Sequence, residues 1–310
     1  MFAVLHSKNE KVGDVAATYA PIRQTCPSSC PRRCCSPRWP AWWSSSAASR
    51  ARAAAGVAAV LLAEDVPGRN NTGPVRHDEP LLAVDEVCFH GQVVAAVIGE
   101  SAAACRAAAS LVEVDYELLP PVVGLRAAVA AGSYHTEPHR LRRGDCGAAL
   151  AASPLTFEGE FEFGGQEHFY LETQAAWAEP AEDGAVTVHS STQHPSEVQA
   201  LVAEVLGVGR HRVVVRAPRM GGGFGGKETQ GAAVAALVAL AARRTGRVVR
   251  LQLDRDVDMR LTGKRHPFLA RFRVGHDRDG RLLAVQADLV SDGGWSLDLS
   301  VAICDRALFH

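Results

Sequence analysis

The spacing of apolar residues changes along the chain, and each change predicts an element. "GVAAVLLAEDVPG", residues 56–68, reads as a strand and a turn. "EVCFHGQVVAAVIGES", 86–101, reads as two strands joined at Gly91. An Ala-rich helix capped by Ser101 follows, and "LVEVDYELL", 111–119, alternates like a strand. Residues 126–155 carry little pattern and read as a connector. Alternation returns in "LTFEGEFEFGGQEHFYLET", 155–173, and in "AVTVHSSTQ", 185–193. In "HPSEVQALVAEVLGV", 194–208, the period becomes helical. Pro195 stands in its first turn, and Val198, Leu201, Val202, Val205 and Leu206 form one apolar stripe. "HRVVVRAP" predicts a buried strand, and "QGAAVAALVALAARRTG" a mostly apolar helix ending at Gly246. "RVVRLQLDRD", 247–256, and "ARFRVGHDRDGRLLAVQADLVSDGG", 270–294, read as strands with a hairpin turn at Asp279–Gly280, and the remainder also reads as strand. The whole is an α+β pattern, with a first unit over 56–125 and a second over 156–310.

Residues 21–55 break this order. Three of the five Trp and half of the Cys crowd there, and neither period can be read. Disordered segments rarely carry Trp39, Trp42 and Trp43 together. The stretch is therefore read as irregular, as a segment translated in a shifted frame would be. Its Cys26, Cys30, Cys34 and Cys35 lack a second ligand pair at finger-like distance, and adjacent Cys34 and Cys35 suit tetrahedral chelation poorly. Cys88, Cys105, Cys146 and Cys304 are expected to be buried thiols.

Composition narrows the function classes. Of 310 residues, 47% are hydrophobic and 22% charged, a globular balance, and the net charge of −1 recruits neither nucleic acid nor an anionic membrane. No uncharged apolar run is long enough to span a bilayer, and the N-terminus does not resemble a secretory signal, so a cytoplasmic location is expected.

The candidate chemistry centres on "RMGGGFGGKETQ", residues 219–230, between a strand and a helix. Gly221, Gly226 and Lys227 fit one phosphate-loop spacing; Gly221, Gly223 and Gly226 fit the dinucleotide spacing. The first needs Ser or Thr after the lysine to hold Mg²⁺, and Glu228 stands there. The second needs an acidic residue about 20 positions on, whereas Asp254 lies 28 past Gly226. Glycines alone can also serve a tight structural loop.

Three further stretches stand with this one in fixed order: "GGQEHFYLETQ", 164–174; "SSTQHPSEVQALVAEVLG", 190–207; and "LTGKRHPF", 261–268. With the closing "DRALFH", they closely resemble the molybdenum-cofactor (large) subunit of xanthine dehydrogenases, in the xanthine oxidase and aldehyde oxidase family. Residues 56–125 resemble that family's hammerhead α+β domain, residues 1–20 would be its start, and 156–310 resemble the first part of its molybdenum-cofactor-binding domain. The resemblance fails over 21–55.

The resemblance implies that the loop's anion is the molybdenum cofactor, a pterin dithiolene with phosphate and a metal carrying oxo and sulfido ligands. It implies that Gln166 and Phe224 lie beside the metal and that Gly223, Phe224 and Gly225 contact the cofactor. Close backbone amides favour anions, and an amide side chain can donate to an oxo group. It implies that Glu228 faces the substrate ring; relatives acting on aldehydes tend to carry an apolar residue there, so the acid favours a purine. The alternative is a carboxylate complementing a helix start. Lys227 either neutralises a cofactor phosphate or forms a structural pair. Glu167 and His168, adjacent on a strand, face opposite ways and read as structural; Gln193 and Pro195 sit at a strand-to-helix junction near the cofactor.

The implied reaction is hydroxylation of hypoxanthine to xanthine and xanthine to urate, with water as the oxygen source. No catalytic base is expected within these residues, since the family places it in a later segment, and the fragment alone is expected to be inactive. [2Fe–2S] clusters and FAD are expected on a partner subunit, because no cysteine set here matches a cluster, making the complete enzyme a hetero-oligomer. The alternatives are an aldehyde or carbon monoxide hydroxylase on the same scaffold, or a non-catalytic remnant of a broken gene.

Overall fold

The computed structural model describes residues 2–6, 48–117 and 119–309. Its centre is a seven-stranded mixed sheet, ordered β2-β3-β1-β8-β5-β6-β7. The strands are β1 (Phe2–His6), β2 (Val57–Leu61), β3 (Ala96–Gly99), β5 (Ala175–Pro180), β6 (Val186–Ser190), β7 (Val213–Arg216) and β8 (Val248–Gln252). A separate antiparallel sheet, ordered β10-β9-β4, holds β4 (Leu155–Phe163), β9 (Phe268–His276) and β10 (Leu282–Ser291).

The amphipathic stripe does what its spacing predicts. Helix α5 (Pro195–Leu206) buries all five stripe residues and ends on Gly207 in the left-handed conformation. It is the crossover between β6 and β7, which run parallel. Helix α6 (Gly231–Thr245) buries eleven of its residues against β5, β6, β8 and α5, as an all-round apolar helix must. Ser101 caps helix α2 (Ala102–Ala109), its Oγ accepting from the Ala104 amide at 3.1 Å.

Several sequence expectations fail for identifiable reasons. Neither 111–117 nor the first half of 86–101 is a strand. β3 is already flanked by β2 and β1, so neither stretch pairs beside it. "HRVVVRAP" forms β7, but as the edge strand, with Val214 exposed rather than buried. The connector holds two short helices, α3 (Leu125–Ala130) and α4 (Cys146–Ala152); Asp145 caps the latter through the Ala148 amide. Helix α7 (Arg255–Leu261) follows β8, and its cap is Asp254, whose carboxylate accepts from Val257 N at 2.8 Å. The closing residues form helix α8 (Ser300–Phe309), not a strand.

Helix α1 (Ser49–Arg52), with Ala48 and Ala51 buried, already belongs to the core within the stretch read as irregular. Cys26, Cys30, Cys34 and Cys35 lie outside the described residues. Of the remaining cysteines only Cys105 is buried; Cys88, Cys146 and Cys304 are partly exposed.

Candidate functional site

The glycine loop sits where β7 leads into α6, and the segment 164–174 lies against it. Their contact is a close one. A Cβ on Gly226 would come within 2.7 Å of both His168 Cγ and Tyr170 Cε1, so glycine lets the loop pack against those two rings. Two non-glycine residues take left-handed backbone here: Phe169, φ 50°, and Phe224, φ 53°. A bulky residue in that region is strained, and such strain gathers at functional sites. Both rings stand out toward solvent.

Lys227 resolves into a structural role. Its side chain is fully buried; Nζ donates to Ser191 Oγ at 2.6 Å and to Glu172 Oε2 at 3.1 Å, and lies 4.7 Å from the Tyr170 ring centroid. The same Glu172 oxygen accepts from Ser191 Oγ and from the Gly221 amide, and Glu172 N donates to Gly221 O. Burial pushes the Glu172 carboxyl up, but the Ser191, Gly221 and Lys227 donors outweigh it and hold it below its usual range. Burial lowers the Lys227 ammonium against the pull of Glu172.

Gln193 shapes the other side of the loop. Its Oε1 accepts from Gly225 N at 3.0 Å and Lys227 N at 3.2 Å, while its backbone N–H donates to Lys227 O. The Gly225 N–H is therefore engaged within the protein. Among the described residues, the Gly223 and Phe224 N–H groups have no acceptor. An ideal Cβ on Gly225 meets only Glu228 Oε1, at 3.9 Å, so the loop is open on that side. Glu228 is exposed, and no hydrogen bond or ion pair engages its carboxylate among the described residues.

Beneath the loop lies a hub that the sequence did not reveal. Asp258 of α7 is fully buried; Oδ1 accepts from Tyr170 OH and Oδ2 from Gln174 N, both at 2.6 Å. Burial and the Asp258 carboxylate raise the Tyr170 phenol well above its usual value. Gln174 Nε2 donates to Gly226 O at 2.9 Å. Arg255 Nη2 donates to the Tyr170 and Leu171 carbonyls at 2.7 and 2.8 Å. Nothing in "DRDVDMRL" separates Asp258 from the surface charges of α7.

Gln166 pairs with Arg265 of the 261–268 stretch in an antiparallel bridge. Glu167 pairs with Lys264 at 2.9 Å, and burial holds the His168 imidazole below its ordinary value. No group of three or more His, Cys, Asp or Glu residues suited to a metal occurs among the described residues. Gly223, Phe224, Gly225 and Glu228 thus share one loop, while Gln166 lies on the abutting segment with its contacts to Arg265. Two free backbone amides and an open glycine fit an anionic group bearing oxo and phosphate oxygens.

An amide-lined glycine loop on an α+β scaffold is a site of the class that takes an anionic group. Residues 131–310 match the family model described as molybdopterin cofactor-binding domain, and residues 34–120 match that of the aldehyde oxidase and xanthine dehydrogenase a/b hammerhead domain. The chain belongs to this family.

The xanthine dehydrogenase of Drosophila pseudoobscura pseudoobscura is 48% identical over 266 residues, covering 85% of this chain and 20% of that protein. That of Dictyostelium discoideum is 42% identical over 263 residues, covering 85% and 19%. Among solved structures, the aldehyde oxidoreductase of Desulfovibrio gigas superimposes with a TM-score of 0.71 at 31% identity, over 79% of this chain and 29% of that one. The chain thus spans about a fifth of the length of the curated relatives it matches.

Proposed function

We propose that this chain supplies one wall of the cofactor and substrate site of a molybdenum hydroxylase that oxidises purines, hypoxanthine to xanthine and xanthine to urate. When bound, the molybdenum cofactor supplies the two-electron oxidation and the activation of water. This chain's residues bind and orient. The N–H groups of Gly223 and Phe224 are held ready to donate to a cofactor oxygen, and Gln166 offers a side-chain amide beside the metal. Gly225 contributes its bare α-carbon, and Phe224 a main chain locked in the left-handed region. Glu228 accepts from a purine N–H, or donates to a ring nitrogen when protonated. The general base and the remaining cofactor contacts belong to the longer family chain, and the iron–sulfur and FAD centres to a partner subunit. The 310 residues alone are expected to hold little molybdenum and not to turn over.

The observation that carries the purine reading is the free Glu228 carboxylate beside open Gly225. The structural likeness to aldehyde oxidoreductases supports the scaffold equally for aldehydes, so the test compares the two substrates. The chain is produced in a host that makes the cofactor, together with the remaining cofactor-domain segment of a xanthine dehydrogenase. Xanthine oxidation is expected, and Glu228→Leu should lower kcat/KM for xanthine about 100-fold or more while sparing aldehydes, because the carboxyl partner of the purine ring is lost. Equal loss on both substrates, or none on xanthine, refutes the purine assignment. Near-stoichiometric molybdenum in the 310-residue chain alone refutes its dependence on the longer segment.

A further inference from the structure

Helix α6 starts beside the glycine loop and ends, 15 residues later, at a cavity of about 700 Å³. At a rise of about 1.5 Å per residue its two ends stand roughly 20 Å apart, so this cavity is distinct from the loop. Its size is that of a small-molecule site. Both family segments build it. The cofactor-domain segment supplies Arg244 and Arg247, and the hammerhead segment supplies Arg52, Asp65, Glu100 and the stretch 57–60 of β2.

Its arginines carry the chemistry. "ARRTGRVVR", residues 242–250, holds four of them. Arg243 donates to Leu206 O at 3.0 Å, and Arg250 is engaged. Arg244 and Arg247 are exposed and line the cavity, and no hydrogen bond or ion pair engages them among the described residues. Gly246, φ 67°, turns the chain between the two. A guanidinium only donates, and its planar fork matches the oxygens of a phosphate. The floor adds a further donor. β2 is the edge strand of its sheet, and Ala58 is the extra residue of a bulge between Val57 and Ala59, with its amide outside the ladder. The two acids differ. Asp65 Oδ2 accepts from Leu62 N at 2.8 Å and is committed to that turn. The Glu100 carboxylate is exposed and unengaged among the described residues. Such a carboxylate repels a bare anion but accepts from hydroxyl groups. A ligand that suits both ends carries a phosphate at one and hydroxyls at the other.

We propose that this cavity binds a sugar phosphate, free or as part of a nucleotide, with the phosphate between Arg244 and Arg247 and the hydroxyls on Glu100. The assignment is independent of the molybdenum-hydroxylase reading.

Calorimetric titration of the full 310-residue chain with ribose 5-phosphate, adenosine monophosphate and inorganic phosphate tests it. Ribose 5-phosphate should bind saturably and about 10-fold more tightly than inorganic phosphate. A further gain with adenosine monophosphate identifies a nucleotide as the source; equal or weaker binding identifies the free sugar phosphate. Arg244→Ala combined with Arg247→Ala should weaken ribose 5-phosphate about 10-fold or more, whereas Arg140→Ala, an exposed arginine elsewhere, should not. Glu100→Ala should weaken ribose 5-phosphate yet strengthen inorganic phosphate, a pair of opposite changes that damage to the fold cannot produce. The proposal is overturned by absence of saturable binding, by inorganic phosphate binding as tightly as the sugar phosphate, or by a double variant no weaker than Arg140→Ala. Glu100→Ala shifting both ligands in the same direction overturns the hydroxyl contact.

Discussion

The lysine that follows the glycines shows how a single residue misleads when read by type. Next to a glycine run it suggests a phosphate ligand, yet Lys227 is buried in a network with Ser191, Glu172 and the Tyr170 ring. Its work is to tie the loop to the 164–174 segment. Lys227→Met should therefore cost about 2 kcal/mol, the scale for hydrogen bonds to a charged group, since half-exposed Glu172 can recover water as a partner. Urea denaturation checks this. A stability within error of wild type would mean the network is slack. Glu228, one position on, has the opposite character: exposed and unengaged among the described residues.

At the level of elements, the loop between β2 and β3 reaches across the molecule to the segment before α8. Ser296 Oγ donates to Glu79 Oε1 at 2.7 Å, and Leu297 N to Asp78 Oδ2 at 3.2 Å. Burial first, then the nearby Asp298, raises the Glu79 carboxyl to about 7, with Asp78 and Glu197 adding to the effect. Burial raises Asp298 and Glu197 as well. The sign follows directly. Unfolded, Glu79 loses its proton near 4.5; folded, near 7. Between those values the folded state binds more protons, so stability is full below about 4.5 and falls as pH rises to about 7, by about 3 kcal/mol at most. Glu79→Gln should flatten that slope in unfolding free energy measured from pH 4.5 to 7.5; an unchanged slope would show that Glu79 does not cause it.

None of this clip was legible in the sequence, because "HDEP" reads as a solvated turn until its distant partners are known. What was legible had local causes: the stripe of α5, the Ser101 cap and the hairpin at Asp279–Gly280 each declare themselves within a few residues. The misses, 111–117 as a strand and the closing residues as another, turn on which strands come to lie side by side, which local pattern does not encode. The site was half legible. The glycine loop stood out, while Asp258, Glu172 and the Gln166–Arg265 pair emerge only when separate segments meet.

For the whole molecule, the small sheet presents an apolar face. Phe157 and Phe161 of β4 lie on it beside Val285 and Leu289 of β10, all four exposed. Charged residues hold the opposite face, where Arg126 of α3 pairs with Glu160 and Glu162. A bare face of this kind binds apolar dyes and promotes association. The double variant Phe157→Lys and Phe161→Lys should lower anilinonaphthalene sulfonate fluorescence severalfold and reduce high-mass species in light scattering; unchanged values would place the stickiness elsewhere.

Along the chain the two family segments look separable, with exposed Arg140, Arg142 and Arg143 in the stretch between α3 and α4. In space they are joined. Arg69 pairs with Glu204 of α5, Gly68 N donates to Val205 O, and one hydrophobic core runs from Ala48 to Leu253. Brief trypsin treatment should nick after those arginines, yet the pieces should co-elute on gel filtration without denaturant; separation would show the junction to be weak. The same joint core bears on ancestry. A gene fusion that placed this hammerhead on an unrelated cofactor domain would strand the acidic clip, the Arg69 partner and the shared core at once. The two segments are thus expected to pass between genes as a single inherited block.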